Sequence, residues 1–457
     1  MFTNYCDFED AKTDFILSAA DEYEDRFEYK GLNLRPTFVR YMYSKLGSLD
    51  QSWLEQKILS RDTCQQKMLS LQLMDRSWRS RLRMIPGVRY LKNKLEWLPQ
   101  QREKSFIGLP LIAVHHWKFV NYLKKSRVFD GVQPAWLVSS RKMINELGLV
   151  NGDVFVPLRI SCRIGKEQFP FNELHEMARD LEATIQHAQP SAIFTVEGDA
   201  PYHVLLAEIG RKYKIPVYCF QWGIFHKNKL RSAFSDMRFT KFLSWGEIFE
   251  DQLTEFNAGL EYIRLGHLFF REEKRVGEKI IFLSQGAGQH IRENDYNWFK
   301  KLAISVASRF PDRVTWRPHP NDALQGAELE YLRRGDVDVL DPRLPLQEQL
   351  KNSIAAVGIS SSSLIDALSV GVIPIIFNTT CLKDFPCPLP EKDIGLEYRA
   401  FDDALRGITL LLTDPNRIQG LQNNIQKNQV LFFGNSDLRG RQDQVRFLCN
   451  RKEDQSE

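Results

Sequence analysis

The sequence predicts an α/β protein of two parallel-sheet halves joined by a linker, with a helical region in front of them. Three observations predict it. The chain is 457 residues long, more than one ordinary core accommodates; at Phe106 short apolar runs begin to alternate with helical ones; and the same alternation starts again after the charged link REEKRVGEK.

Residues 10–104 mix polar and apolar side chains at helical spacing, as in DAKTDFILSAADEYEDRF and SWLEQKILSRDTCQQKMLSLQLM, so the region 1–105 is expected to be helical throughout. From Phe106 the runs FIGLPLIAV, AWLVSS, DVFVPLRI, SAIFTV, IPVYCFQ, FTKFLSW and YIRLG are strand candidates and define a first half over 106–272. The runs IIFLS, RVTWR, VDVL, IAAVGI and VIPIIF, with helices such as WFKKLAISVASRF and SLIDALSVG between them, define a second half over 273–425. A C-terminal helix and tail occupy 426–457. Strands alternating with helices make parallel sheets covered on both faces, so each half reads as a Rossmann-like domain, and the two face each other across a cleft.

Composition excludes several classes. A hydrophobic share of 43% with 26% charged residues belongs to a globular protein, and a net charge of +4 is too mild to argue for nucleic acid, which is not expected as a partner. The seven cysteines (Cys6, Cys64, Cys162, Cys219, Cys381, Cys387, Cys449) are scattered, without the paired spacing of a zinc site, and read as reduced thiols of a cytoplasmic protein. The opening MFTNYCDFEDAKTDF is acidic and lacks the apolar stretch of a signal peptide, so none is expected, and no apolar run reaches membrane length. Nine basic residues (Arg76, Arg79, Arg81, Arg83, Arg89, Lys92, Lys94, Arg102, Lys104) crowd one stretch with Trp78, Tyr90 and Trp97 among them. Such a stretch is either a solvated helical face or a site for an anionic membrane surface, which would place the protein peripherally at the inner face of the membrane.

Open parallel sheets bind ligands beyond the carboxyl ends of their strands. In the second half, IAAVGI runs into Ser360, Ser361, Ser362 and Ser363 at the start of a helix. Hydroxyls and free N–H groups there either cap the helix or hold a phosphate. The turn SQGAGQ brings Ser284, Gln285, Gly286 and Gly288, where glycine lets the backbone approach a ligand. In TWRPHPND, Pro318 and Pro320 stiffen the chain on both sides of His319, next to Arg317, so the imidazole either points at a ligand or caps a loop.

In the first half, SAIFTV runs into Glu197, Gly198 and Asp199. A carboxylate at a strand exit faces the cleft and can act as a base. Glu197 is the first candidate and Asp199 the rival, although Asp199 also suits the cap of the following helix. Gln221, Trp222 and Gly223 follow the next strand and suit a sugar acceptor, with core packing the alternative for Trp222. His115 and His116 end the first strand on opposite faces; His116 is assigned to the acceptor side, and a structural role is the alternative for either. Asp336 and Asp338 form a D-x-D that reads as a surface turn.

The two-domain layout, the VEGD exit, RPHP, and the serine run followed by IDALSVGVIPIIF resemble the GT-B glycosyltransferases of bacterial surface polysaccharide synthesis, over roughly residues 106 to 425. Closest in pattern are bacterial sialyltransferases, capsule 3-deoxy-manno-octulosonate (Kdo) transferases and polyol-phosphate transferases, with their acidic-glycine, His-Pro and serine motifs. The resemblance implies that His319 and Ser361 or Ser362 contact the donor phosphate and that the acidic motif supplies the base. Where the family pattern has two consecutive acids before glycine, Val196 precedes Glu197 here, so the base stays open between Glu197 and Asp199.

The expectation is therefore an inverting, metal-independent glycosyltransferase of capsule or lipopolysaccharide assembly. It would need no cofactor and would move a sugar from a nucleotide-sugar donor, a CMP-linked acidic sugar first, to a glycan or lipid-linked glycan acceptor. A sugar-nucleotide 2-epimerase and a non-catalytic nucleotide- or glycan-binding subunit are the rivals.

Overall fold

A computed structural model describes residues 5–46, 54, 56, 58–60, 106–114, 117–138, 144–145, 148, 154–157, 171–225, 230–270, 277–286, 291, 293–319, 326–359, 361–378, 387–434 and 437–450. The basic stretch Arg76–Lys104, His115, His116, Gly288, Pro320 and Ser360 lie outside these residues.

Every run read as a strand from Phe106 onward contains one. The first sheet is wholly parallel and comprises β3 (Leu111–Ala113), β4 (Ala135–Val138), β5 (Val154–Pro157), β6 (Ile193–Val196), β7 (Val217–Phe220), β8 (Lys241–Ser244) and β9 (Tyr262–Arg264), in the order β5-β4-β3-β6-β7-β8-β9. The second, also parallel, comprises β10 (Lys279–Leu283), β11 (Val314–Arg317), β12 (Asp338–Val339), β13 (Ser353–Gly358), β14 (Ile373–Phe377) and β15 (Leu396–Tyr398), in the order β12-β11-β10-β13-β14-β15. β15 was not expected, because LEY is short and half-buried and carries no apolar run. The central strands are buried along their whole length, which is why they read as continuous apolar runs.

Each sheet reverses its strand order once, between β3 and β6 in the first and between β10 and β13 in the second. In a doubly wound sheet that reversal opens a crevice at the carboxyl ends of the two central strands, where ligands settle. Glu197 leaves β6, Ser284 leaves β10 and Ser361 follows β13. The candidate residues therefore collect at the two switch points.

The N-terminal region corrects one expectation. Helices α1 (Tyr5–Glu22) and α2 (Arg35–Leu46) form, but a small antiparallel hairpin, β1 (Glu28–Tyr29) with β2 (Leu32–Asn33), separates them. Its two-residue loop puts Lys30 at φ 51° and Gly31 at φ 81°, the left-handed pair that a tight hairpin needs. α2 packs on α3 (Pro201–Tyr213) of the first domain, and Phe38 stacks on Phe171 with ring centroids 5.8 Å apart. Arg35 pairs with Asp236, and Arg231 with Asp14. The helical layer is thus docked onto the helices of the first domain by aromatic packing with ion pairs at its rim.

At the other end, the helix Pro415–Phe433 runs through position 426, and the helix Leu438–Asn450 returns to the first domain. Val445, Leu448 and Cys449 join the core under β3 and β4, and Gln442 Nε2 donates to the Arg127 carbonyl at 2.9 Å. Among the described residues no helix is long and apolar enough to cross a membrane.

Candidate active site

The first domain's contribution is a tight elbow. Glu197 and Gly198 both have left-handed backbones, φ 70° and 79°, and the Glu197 N–H donates to the Phe220 carbonyl of β7 at 2.9 Å. For glutamate that conformation is strained by about 1–3 kcal/mol and persists only where the surroundings over-determine it. They do so here. A Cβ on Gly198 would lie 2.7 Å from Cys219 Sγ and 2.9 Å from the Phe239 ring, so the slot beneath the elbow admits glycine alone. The following helix α3 starts with Ala200 at its N-cap and Pro201 behind it, with no side-chain cap. Asp199 is therefore not the helix cap that the sequence suggested. Its carboxylate meets Arg40 of α2, Nη2 to Oδ2 at 3.1 Å, and its carbonyl accepts from Arg40 Nε at 2.6 Å. Asp199 is tied into the scaffold, while the half-buried Glu197 stands at the switch point.

Gln221, Trp222 and Gly223 leave β7, next to the elbow. Gln221 is 1% exposed and both ends of its amide are engaged: Nε2 donates to the Gly223 carbonyl at 3.1 Å and Oε1 accepts from the Trp245 N–H at 2.8 Å. Its work is to shape this loop. Trp222 is half-buried and packs edge-on against Phe119 and Tyr122, centroids 4.9 and 4.7 Å away, with the Lys118 ammonium 5.2 Å from its ring. Gly223 faces the other domain: a Cβ there would sit 3.7 Å from Ser362 Cβ and 3.9 Å from its Oγ.

The second domain brings two turns to its switch point. Ser284 is buried, its N–H donates to the Arg317 carbonyl at 2.9 Å, and its Oγ accepts from the Gly286 N–H at 3.1 Å, with Gly286 at φ 73°. Gln285 between them is half-buried. Across the crevice, Ser361 Oγ accepts from the Ser363 N–H at 3.2 Å, so this serine serves the turn. Ser362, at the N-cap, makes no side-chain cap. The helix Ser363–Leu368 has six residues, too few for much of a macrodipole; hydroxyls and turn amides, rather than a helix end, are what this turn offers an anion.

His319 is exposed just beyond β11, behind the buried Pro318. Arg317 is placed otherwise. Its guanidinium donates to the carbonyls of Leu344 and Pro342 at 3.1 and 3.2 Å and to Gln349 Oε1, binding the β12-to-helix loop. Burial pulls its pKa down, against the pull of Asp366 and Asp341. Asp336 sits exposed in a left-handed turn and Asp338 beside Lys279, as a surface D-x-D would.

Two functional candidates escaped the sequence. Arg40 lies in an otherwise unremarkable helix. His267, in the linker RLGHLFF, is fully buried: Nδ1 accepts from the Phe269 N–H at 3.3 Å, so Nε2 carries the proton and donates to Asp366 Oδ1 at 3.1 Å. That bond ties the domain linker to the helix of the serine turn.

No family model matches the chain, and no curated protein matches its sequence. Among solved structures it is similar to UDP-GlcNAc 2-epimerase from Neisseria meningitidis bound to UDP-GlcNAc (TM-score 0.52, 11% identity, 75% of this chain and 100% of that one). It is also similar to MnaA of S. aureus in a structure with UDP (TM-score 0.51, 10% identity, 74% and 96%). A further UDP-N-acetylglucosamine 2-epimerase has TM-score 0.51 at 13% identity, covering 77% and 99%. At such identities the likeness establishes the fold: two Rossmann-like domains in the GT-B arrangement.

Proposed function

We propose that the protein is a glycosyltransferase that holds a nucleotide-activated sugar at the second switch point and passes the sugar to a hydroxyl presented at the first. The observation that carries this reading is the close approach of Gly223 to Ser362. Glu197 hydrogen-bonds through its N–H to the end of β7, the strand from which Gly223 follows, and this reading takes the carboxylate elbow and the serine turn to line one cleft. Neighbouring strands lie about 4.8 Å apart, a separation that one sugar ring spans.

In this reading Glu197 accepts the acceptor hydroxyl's proton as its oxygen attacks the anomeric carbon. The bond from that carbon to the phosphate oxygen breaks, and the nucleotide leaves with the electron pair. His319, Ser362 and the Ser284–Gly286 turn donate hydrogen bonds to the departing phosphate, where charge grows. The attack comes from the face opposite the leaving group, so configuration inverts. The motif resemblance favours a CMP-linked acidic sugar as donor and a surface glycan as acceptor.

A second reading has specific support. The three similar structures named above are 2-epimerases or are bound to UDP. An epimerase converts a sugar nucleotide with no acceptor present. Incubation with UDP-GlcNAc alone and with CMP-sugars plus glycan acceptors, followed by product analysis, separates the two. Transfer that requires an acceptor supports the first reading; conversion of donor alone replaces it.

A further inference from the structure

The N-terminal layer reaches the elbow through one side chain. Arg40, 7% exposed on α2, holds Asp199 twice, at the carbonyl through Nε (2.6 Å) and at the carboxylate through Nη2 (3.1 Å). A planar guanidinium fork can meet two acceptors of one residue in fixed geometry, which a lysine ammonium cannot. Gly198 is wedged between Cys219 and Phe239, and the Glu197 N–H is fastened to Phe220. Residues 197–199 are thus pinned from three directions, and one of the pins belongs to the helical layer.

Behind Arg40 stands a set of buried polar groups. Its guanidinium lies 4.9 Å from the centre of the Tyr43 ring, the Tyr43 hydroxyl bonds to Glu9, and Glu9 pairs with Lys12. Glu9 and Lys12 are each 5% exposed, and Lys12 lies 4.5 Å from the same tyrosine ring. Burying ions costs several kcal/mol apiece, and apolar residues of like volume often serve stability better. A layer that only covered the sheet would have no need of this arrangement. One that must hold a guanidinium rigid inside the protein does.

We infer that Arg40 is a positioning residue for the Glu197 carboxylate, so that the N-terminal layer completes the active site. The inference rests on the proposed role of Glu197. A misplacement of about 1 Å at a reacting group costs on the order of a hundredfold in rate. Arg40→Gln should therefore lower kcat by roughly that factor while KM for the sugar nucleotide, bound in the other domain, stays within about twofold. Arg40→Lys, which keeps the charge but not the fork, should recover part of the loss.

Hydrogen exchange supplies a readout independent of turnover. In Arg40→Gln the amides of residues 197–200 should exchange faster while those of β7 stay protected. Unchanged exchange at 197–200 overturns the inference whatever the kinetics. So does wild-type kcat in Arg40→Gln, or a loss confined to KM. Should the wild-type protein turn over no sugar nucleotide, the functional reading fails by itself, and the exchange of 197–200 in the two variants still decides whether Arg40 sets the elbow.

Discussion

The two strand-exit turns to which the proposed reaction gives different tasks are held by different means. The elbow after β6 is over-determined: two left-handed residues, a slot that only glycine fits, and an arginine fork from a separate layer. Among the described residues the serine turn after β13 is held without left-handed backbone, by main-chain bonds into a six-residue helix, by the bond from Ser363 N–H to Ser361 Oγ and by the His267–Asp366 bond further along that helix. A group that removes a proton must be aimed, and aim needs fixed backbone. A phosphate is instead met by several donors, and a hydroxyl adjusts by rotation. The contrast fits the proposed division, with proton transfer in the first domain and leaving-group support in the second.

The largest expected effect is at the elbow. Glu197→Gln should reduce transfer by about 10²–10⁴ in steady-state kinetics, the usual worth of a positioned base. A variant that keeps a tenth of the activity would move the proton elsewhere and break the contrast. On the donor side, His319→Ala should cost on the order of 10²–10³ in turnover and also weaken nucleotide binding, since one preorganised donor is lost from both states. Near-native turnover would reduce RPHP to a stiff loop.

Stability sharpens the same contrast. Gly198→Ala forces a Cβ to within 2.7 Å of Cys219 Sγ in a left-handed backbone, and should lower unfolding free energy by about 1–3 kcal/mol at unchanged urea m-value. Gly223→Ala, whose Cβ would lie at an ordinary 3.7 Å from Ser362, should change it by less than about 0.5 kcal/mol. Equal losses at the two glycines would mean that the turns are equally rigid.

One effect should be shared by both domains. Burial pushes the Cys449 thiol, packed on the first sheet, up to about 12 from an ordinary 9.0, and raises Cys387 in the second half as well. Below pH 9 both thiols are neutral folded or unfolded. Above it the unfolded chain ionises and the folded one does not, so stability should fall gently as pH rises past 9. Substituting either cysteine by alanine should remove part of that slope.

Much of the fold was legible because parallel strands buried on both faces announce themselves as apolar runs, as IAAVGI and VIPIIF do. The short β15 and the β1/β2 hairpin were not: LEY is no run, and EYKGLN signals only through the Lys30-Gly31 turn. Position after a strand was enough to put Glu197, Ser284, His319 and Ser361 at strand exits, since those exits follow from the apolar runs themselves. What Gln221, Arg317 and Asp199 do depends on partners remote in the chain, Trp245, Leu344 and Arg40, and strand-exit position alone does not reveal such pairings. Arg40 and His267 were missed for the same reason: an arginine in a helix and a histidine in a linker carry no local mark.

The most direct measurement is calorimetric titration of the nucleotide that stabilises the wild-type protein into Glu197→Gln and into the double variant Ser361→Ala/Ser362→Ala. Division of labour predicts native affinity in the first and a clearly raised dissociation constant in the second. Native affinity in the serine variant, or loss of it in Glu197→Gln, would contradict the assignment of the nucleotide to the second domain and the proton to the first.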